Sequence, residues 1–384
     1  MSSKPLNILA VSSFDTVEGD VQTMLVALRG FDASFKIHAV SKPRGVVYER
    51  LKQIPGNTVF TMEMGGVEAR PAGREGKPAQ MADFLSAVPK VASLVKKHGI
   101  DVLYTIDRGV APQLAALASV LTKRPLVLNV NYPGYTLNGF PAKFVLRRAA
   151  KLHGPTNYLL NYLKPHLPRP ERYTIVPHGV EIERYDLGID GLMTRRHFGV
   201  PQDSPIIAMM GRLDKWKGQD HLIEASQTVL EKYPDAYFLI SGRGPEEIRL
   251  HLESLIAQRN VGHRVKLVGY VPSVPDFTAA ATMVAMPSWE EPWGLVALEG
   301  MAMAKPVVST RSGGVPEFVI DGEVGLLVPP CAPPELAKAI LRLLDDPVGA
   351  AQMGRKGRAR VEQHYTAQHY VRGVADAIRS VAPA

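Results

Sequence analysis

Two carboxylates, Glu291 and Glu299, stand in the stretch from Trp289 to Val308, flanked by residues that place them differently. Pro292 pushes Glu291 toward extended geometry, which puts it on a loop, and Gly294 lets the backbone approach a ligand closely. From Gly294 onward Leu295, Leu298 and Met301 or Ala302 recur at helical spacing until Pro306 ends the run, so Glu299 falls about one turn inside a helix. The first N–H groups of that helix, on Gly294, Leu295 and Val296, have no intrahelical acceptor and carry the positive end of the dipole. That chemistry suits a phosphate or a sugar hydroxyl. A carboxylate accepts two hydroxyl hydrogen bonds at once, so a vicinal diol on ribose or hexose is the ligand it fits best. By spacing alone, an ion pair of Glu291 with a nearby Arg and an exposed helical position at Glu299 account for these residues equally well.

A second group is basic. The run Gly211-Arg212-Leu213-Asp214-Lys215-Trp216-Lys217-Gly218 follows the apolar stretch Ile206 to Met210 and reads as a strand-to-helix turn with glycine at both ends. Arg212 can fork two oxygens and Lys217 can act as a point charge, enough to neutralise a diphosphate. A solvated basic loop explains the same residues about as well. Ser241-Gly242-Arg243-Gly244-Pro245 repeats the device after the next strand, although Gly-x-Gly alone is a weak signal. Ser312-Gly313-Gly314-Val315-Pro316-Glu317 is either an anion nest or an ordinary connection. No His, Asp or Cys cluster has metal-ligand spacing, so no metal is expected.

The elements that must hold these residues alternate. In the first half Ile8 to Val11, Ile37 to Val40, Val59 to Thr61, Val102 to Thr105 and Leu126 to Val130 read as strands, with helices over Gly19 to Arg29, Gln80 to His98 and Pro112 to Leu121. Residues 65–78, rich in Gly, Arg and Pro, read as a mobile excursion. Past Pro177 the second series runs through strand Ile206 to Met210, helix Gln219 to Lys232, strand Ala236 to Ser241, helix Glu246 to Arg259 and strands Val265 to Val268 and Met283 to Pro287. The Glu299 helix and strands Val307 to Thr310 and Gly325 to Val328 follow it. Such alternation predicts an α/β protein of two doubly wound parallel sheets, with ligands at the carboxyl ends of the strands. The domains are read as residues 1–177, residues 178–364, and a C-terminal helix over 365–384 that packs back toward the first.

A chain of 384 residues suits two cores better than one. No apolar run approaches the length of a membrane span. The short run from Leu6 to Val11 reads as a first strand and not as a signal peptide. The single cysteine, Cys331, forms no internal disulfide, which suits a reducing cytoplasm. The net charge of +8 is uneven: residues 1–177 carry 23 Lys or Arg against 12 Asp or Glu, and the rest carry 22 against 25. No acidic residue lies between Asp107 and Glu171. Within that gap, Ala142 to Leu152 reads as an amphipathic helix with Phe144, Val145 and Leu152 beside Lys143, Arg147, Arg148 and Lys151. Packing into the first domain is the more ordinary use of such a face, and attachment to an anionic membrane the other.

Taken together, Gly211-Arg212 with Lys217-Gly218, Glu291 and Glu299 with seven residues between them, Lys305-Pro306-Val307-Val308, Gly313-Gly314 with Glu317, and Gly325-Leu326-Leu327-Val328 resemble the retaining glycosyltransferases of family 4. That family has the GT-B fold, two Rossmann-like domains facing across a cleft. The likeness runs through nearly all of residues 205–345. Pro177-His178-Gly179-Val180-Glu181 resembles the family's Pro-Asn-Gly-Val-Asp boundary, with His178 in place of Asn, while the first half matches in outline. The resemblance implies that Arg212 and Lys217 hold a donor diphosphate, Glu299 the nucleotide ribose, Glu291 the donor-sugar hydroxyls, and the amides of Gly294, Leu295 and Val296 the sugar or phosphate, with Arg243 a further donor contact. Two further positions depart from it. Glu18-Gly19 stands where the family has Gly-Gly, so only Gly19 carries over. Asn131 stands where the family has a histidine, and a neutral amide can bond a donor hydroxyl but cannot shuttle protons.

The function this implies is transfer of a sugar from a nucleotide diphosphate sugar to an unidentified acceptor, lipid-linked or glycan, with retention and without a cofactor or metal. The expected setting is cytoplasmic, or peripheral at the inner face of a membrane. The other readings are a GT-B nucleotide-sugar epimerase and a non-catalytic basic protein that binds a membrane or nucleic acid. Tyr132, Tyr135, Tyr158 and Tyr162 could stack on bases, but no nucleic-acid motif accompanies them and no nucleic-acid partner is expected.

Overall fold

Parallel strands must be covered on both faces, and the alternating sequence of this chain supplies that cover twice. The computed structural model describes residues 4–14, 19–64, 78–106, 109–132 and 139–383. It divides into two units, one of residues 1–178 with 367–384 and the other of residues 179–366. The expected excursion at 65–77 and the Glu18 departure lie outside the described residues.

The first unit holds a seven-stranded parallel sheet in the order β3-β2-β1-β4-β5-β6-β7. Its strands are β1 (Leu6–Val11), β2 (Phe35–Ser41), β3 (Thr58–Thr61), β4 (Val102–Ile106), β5 (Leu126–Asn129), β6 (Lys151–Gly154) and β7 (Tyr173–Ile175). Alternation of side chains divides its core in two. Leu9, Val11, Leu103 and Leu128 face one layer of helices, while Ile8, Ala10, Tyr104 and Val127 face the other. The second unit repeats the design with six strands, β8 (Ile206–Met210), β9 (Tyr237–Ser241), β10 (Val265–Gly269), β11 (Met283–Met286), β12 (Val307–Thr310) and β13 (Leu326–Val328). Their order is β10-β9-β8-β11-β12-β13.

The stretch read as one helix from Ala142 to Leu152 is two elements. A helix spans Gly139–Arg148, and Lys151–Gly154 is β6, which pairs with β5 through Leu128 and Leu152. Val145, Leu146, Ala149 and Leu152 are all buried in the core. The apolar side that a membrane would need is therefore already covered. Arg148 donates to the carbonyls of Ser119 at 2.9 Å and Arg124 at 3.3 Å, which ties it to the end of the helix Ala111–Thr122. Among the described residues no helix is long and apolar enough to cross a membrane.

The C-terminal helix Ala367–Arg379 belongs to the first unit, where Tyr370, Val374 and Ile378 join the core beside Val21, Met24 and Leu25. Gly30 permits this contact, since a Cβ there would stand 2.4 Å from Val371 Cγ2. Tyr370 is 1% exposed, and its hydroxyl accepts from Asn129 Nδ2 at 3.2 Å. Truncating it leaves a large cavity and an orphaned amide. Tyr370→Ala is expected to destabilise the first unit by about 3 to 5 kcal/mol, read from chemical denaturation, with a smaller loss for Tyr370→Phe.

Candidate functional site

Strands β8 and β11 are neighbours from which the chain departs in opposite directions, the switch point where open α/β sheets bind ligands. The loops that leave their carboxyl ends carry Arg212 and Lys217 on one side and Glu291 on the other. Glycines bring these loops together. Gly218 has φ +77° and lies so close to the other loop that a Cβ would stand 2.1 Å from the Pro287 carbonyl oxygen. Trp289 N–H donates to the Trp216 carbonyl at 2.7 Å, a second link between them.

Lys217 Nζ lies 2.6 Å from Glu291 Oε2, and both side chains are largely shielded from solvent. Ser288 Oγ donates to the same oxygen at 3.3 Å. Glu291 is thus one half of an ion pair, but its partner is Lys217 and not the Arg expected. A buried charge stripped of its partner is strongly destabilising, roughly 3 to 5 kcal/mol, so replacing Lys217 alone perturbs stability as well as the site. Arg212 does not share in this pair. Its guanidinium sits 2.9 Å from Asp214 Oδ2, near the surface. Arg243 is exposed and lies 4.7 Å from the Tyr270 ring centroid in a cation–π contact.

The Gly313-Gly314 turn is a backbone seat for Glu291. Gly314 N–H donates to the Glu291 carbonyl at 2.9 Å, and Gly313, at φ +58°, would place a Cβ 2.1 Å from that same oxygen. Gly294, at φ +97°, opens the helix Leu295–Ala302, and a Cβ on it would meet Met286 Cε at 2.7 Å. The N–H groups of Gly294, Leu295 and Val296 are therefore presented at the start of the helix, as its geometry requires.

Glu299 lies inside that helix and is partly shielded from solvent. Tyr185 donates its hydroxyl to Glu299 Oε1 at 3.0 Å. Burial pushes the Glu299 carboxyl up to about 7, against the opposing pull of the Tyr185 hydroxyl and the Arg184 charge. Tyr185, Ser288 and Trp216 are site residues that sequence reasoning missed. In the first unit, Gly19 opens the helix Gly19–Gly30 and Asn131 is 7% exposed just beyond β5.

A carboxyl whose folded pKa is raised from 4.5 to about 7 gives stability that is fully present below about 4.5 and is lost as pH rises through about 7. A neutral amide mimics the protonated form. Glu299→Gln is therefore expected to raise thermal stability at pH ~8 by on the order of 1 kcal/mol and to change it little at pH ~4.5. An equal effect at both pH values would contradict a buried, titrating carboxyl.

Comparison with known proteins adds the family. Residues 193–360 match the family model described as glycosyl transferases group 1. An alpha-D-kanosaminyltransferase of Streptomyces kanamyceticus is 37% identical over 155 residues, 40% of this chain and 39% of that enzyme, so the chain spans well under two thirds of this relative's length. A D-inositol 3-phosphate glycosyltransferase of Kribbella flavida is 28% identical over 331 residues, 80% of this chain and 77% of its own. Among solved structures, the Anabaena protein HepE in complex with UDP and glucose superposes with a TM-score of 0.81 at 22% identity, covering 97% of this chain and 99% of that one. Residues 193–360, most of the second unit, thus resemble the glycosyl transferases group 1 family, in a chain whose two doubly wound domains have the GT-B fold.

Proposed function

We propose that this protein is a retaining glycosyltransferase that moves a sugar from a nucleotide diphosphate sugar to an acceptor. The observation that carries the reading is the shielded Lys217–Glu291 pair at 2.6 Å, set at the switch point beside a helix N-terminus. A cation, a hydroxyl-binding carboxylate and free N–H groups at one point match the parts of a nucleotide sugar, namely diphosphate and sugar ring. Relatives named as glycosyltransferases and a neighbour of like fold solved with UDP support the same class.

In this reading Arg212 and Lys217 neutralise the diphosphate, with Arg243 a further donor contact. The amides of Gly294, Leu295 and Val296 take a phosphate or sugar oxygen, Glu291 binds donor-sugar hydroxyls and Glu299 binds the ribose. Gly19 and Asn131 are the donor contacts assigned to the first unit. Glu291 is tied to Lys217 and Ser288 and makes a poor covalent nucleophile, so attack on the leaving-group face is the favoured course. The anomeric carbon–phosphate oxygen bond breaks as the acceptor oxygen–carbon bond forms, and the acceptor's proton passes to the departing phosphate oxygen. Fixed cations stabilise the charge that develops there, so the scheme requires no metal. The excess of basic residues in 1–177 favours an acceptor that carries negative charge.

The test is a thermal-shift screen with UDP, GDP, ADP and TDP, followed by transfer from the matching nucleotide sugar to D-inositol 3-phosphate and to acidic glycans. Anomeric configuration of the product is read by NMR. Inversion of the anomeric centre would reject retention, and conversion of the donor sugar without an acceptor would reveal an epimerase. Arg212→Ala and Lys217→Ala are each expected to lower transfer about a hundredfold or more in protein shown to be folded. Glu299→Ala should weaken free-nucleotide binding, whereas Glu291→Ala should lower turnover with less effect on free nucleotide. Near-normal transfer by the Arg212/Lys217 double variant would remove the diphosphate site.

A further inference from the structure

Tyr185 reaches the candidate site from just beyond the short turn Ile182–Arg184. It is 4% exposed and is held at both ends. Its hydroxyl donates to Glu299 Oε1 at 3.0 Å, and its carbonyl accepts from Arg358 at 2.6 Å. The same guanidinium donates to the carbonyl of Ala302, the last residue of the helix that carries Glu299. Arg358 is fixed in turn by Glu362 at 2.6 Å. A cation at a helix C-terminus is favourable in itself, so one side chain both caps the helix and anchors the tyrosine.

We propose that Tyr185 is a positioning residue: anchored by Arg358, its hydroxyl occupies one oxygen of Glu299 and presets the carboxylate, in its ionised form, to accept the hydroxyls of a nucleotide ribose. The inference rests on reading Glu299 as the ribose contact. A carboxylate has about four acceptor positions, so one phenol leaves room for two ribose hydroxyls while fixing the plane in which they are met. Without that bond a glutamate samples several rotamers, and its ordering would be charged against binding.

The surroundings determine how the carboxyl titrates. Tyr185 and Arg184 both favour its ionised form, and Arg184 is paired with Glu181 at 3.1 Å. Arg358 and Glu362, on the helix Pro347–His364 packed against the Glu299 helix, are paired with each other, and Asp276, in the first turn of the helix Val274–Ala280, is exposed. Strands β11 and β12 carry no ionisable side chain. Deleting the phenolic hydroxyl removes one of the effects that oppose burial. Glu299 would then ionise only at higher pH, and nucleotide binding, which needs the carboxylate, would be lost sooner as pH falls.

The experiment is calorimetric titration of the full chain and of Tyr185→Phe with UDP and 2′-deoxy-UDP, and with GDP and its 2′-deoxy form, across about pH 5.5 to 8.5. The wild type is expected to favour the ribonucleotide about tenfold, the variant only two- to threefold or so. The midpoint of the pH dependence should rise by about half to one unit in the variant. An equal loss of affinity for both nucleotides with an unmoved midpoint would show that Tyr185 only packs, and would overturn the proposal. If the wild type binds none of these nucleotides and neither ADP nor TDP, the nucleotide-donor reading itself fails. If it binds and discriminates while Tyr185→Phe behaves identically, only the role of Tyr185 falls.

Discussion

The second unit is organised around an ion pair that costs desolvation to bury, Lys217 with Glu291. It joins the loops that follow β8 and β11, and its geometry depends on three backbone contacts that only glycine allows or that cross from loop to loop. Gly218 lets one loop rest on the Pro287 carbonyl, Trp289 N–H bonds back to Trp216, and Gly313 lies against the Glu291 carbonyl. Each fixes backbone, so the side chains need not search for one another. In the proposed donor site, a pair held in this way would meet a ligand's charge with little rearrangement, the lysine adding a phosphate contact while it stays beside Glu291.

A second carboxylate close by is treated in the opposite manner. Glu291 has a full cation against it, whereas Glu299 has a phenol and only the distant pull of Arg184. The difference in partner separates their chemistry. Glu291 is compensated as it stands, while Glu299 keeps its capacity to take up a proton near neutral pH. In the proposed donor site this makes Glu291 a fixed electrostatic element and leaves Glu299 as the group whose binding strength responds to pH.

The sequence displayed the elements that carry continuous apolar runs and hid those defined by contact. β8 and β12 have the bounds expected for them because buried parallel strands are rich in apolar and β-branched residues, Ile-Ile-Ala-Met-Met in β8 and Val-Val-Ser-Thr in β12. β6 reads Lys-Leu-His-Gly and β7 only Tyr-Thr-Ile, so neither has a pattern of its own; β6 exists because β5 offers an edge to extend, and β7 because β6 then does. In the site, Glu291 and Lys217 were legible as residue types at telling positions. Their pairing was not, because 74 residues separate them. Tyr185 was silent for the same reason: an aromatic beyond a turn looks like core until the atom opposite its hydroxyl is known. Gly313-Gly314 carried a signal that admitted two meanings, and the contact with Glu291 favours the backbone seat.

The basic first half shows how a charge count overstates what is available to a partner. Arg148 is turned inward onto the carbonyls of Ser119 and Arg124, and Arg172 donates to the Ala149 carbonyl at 3.1 Å. These guanidinium groups satisfy carbonyls at element ends, work that any ligand would have to compete with. Lys143 and Arg147, by contrast, stand exposed on the helix Gly139–Arg148 while Val145 and Leu146 are buried beneath them. On this helix the exposed charges thus lie over apolar residues that are already buried, so the helix itself offers little of the apolar area on which insertion into a bilayer depends.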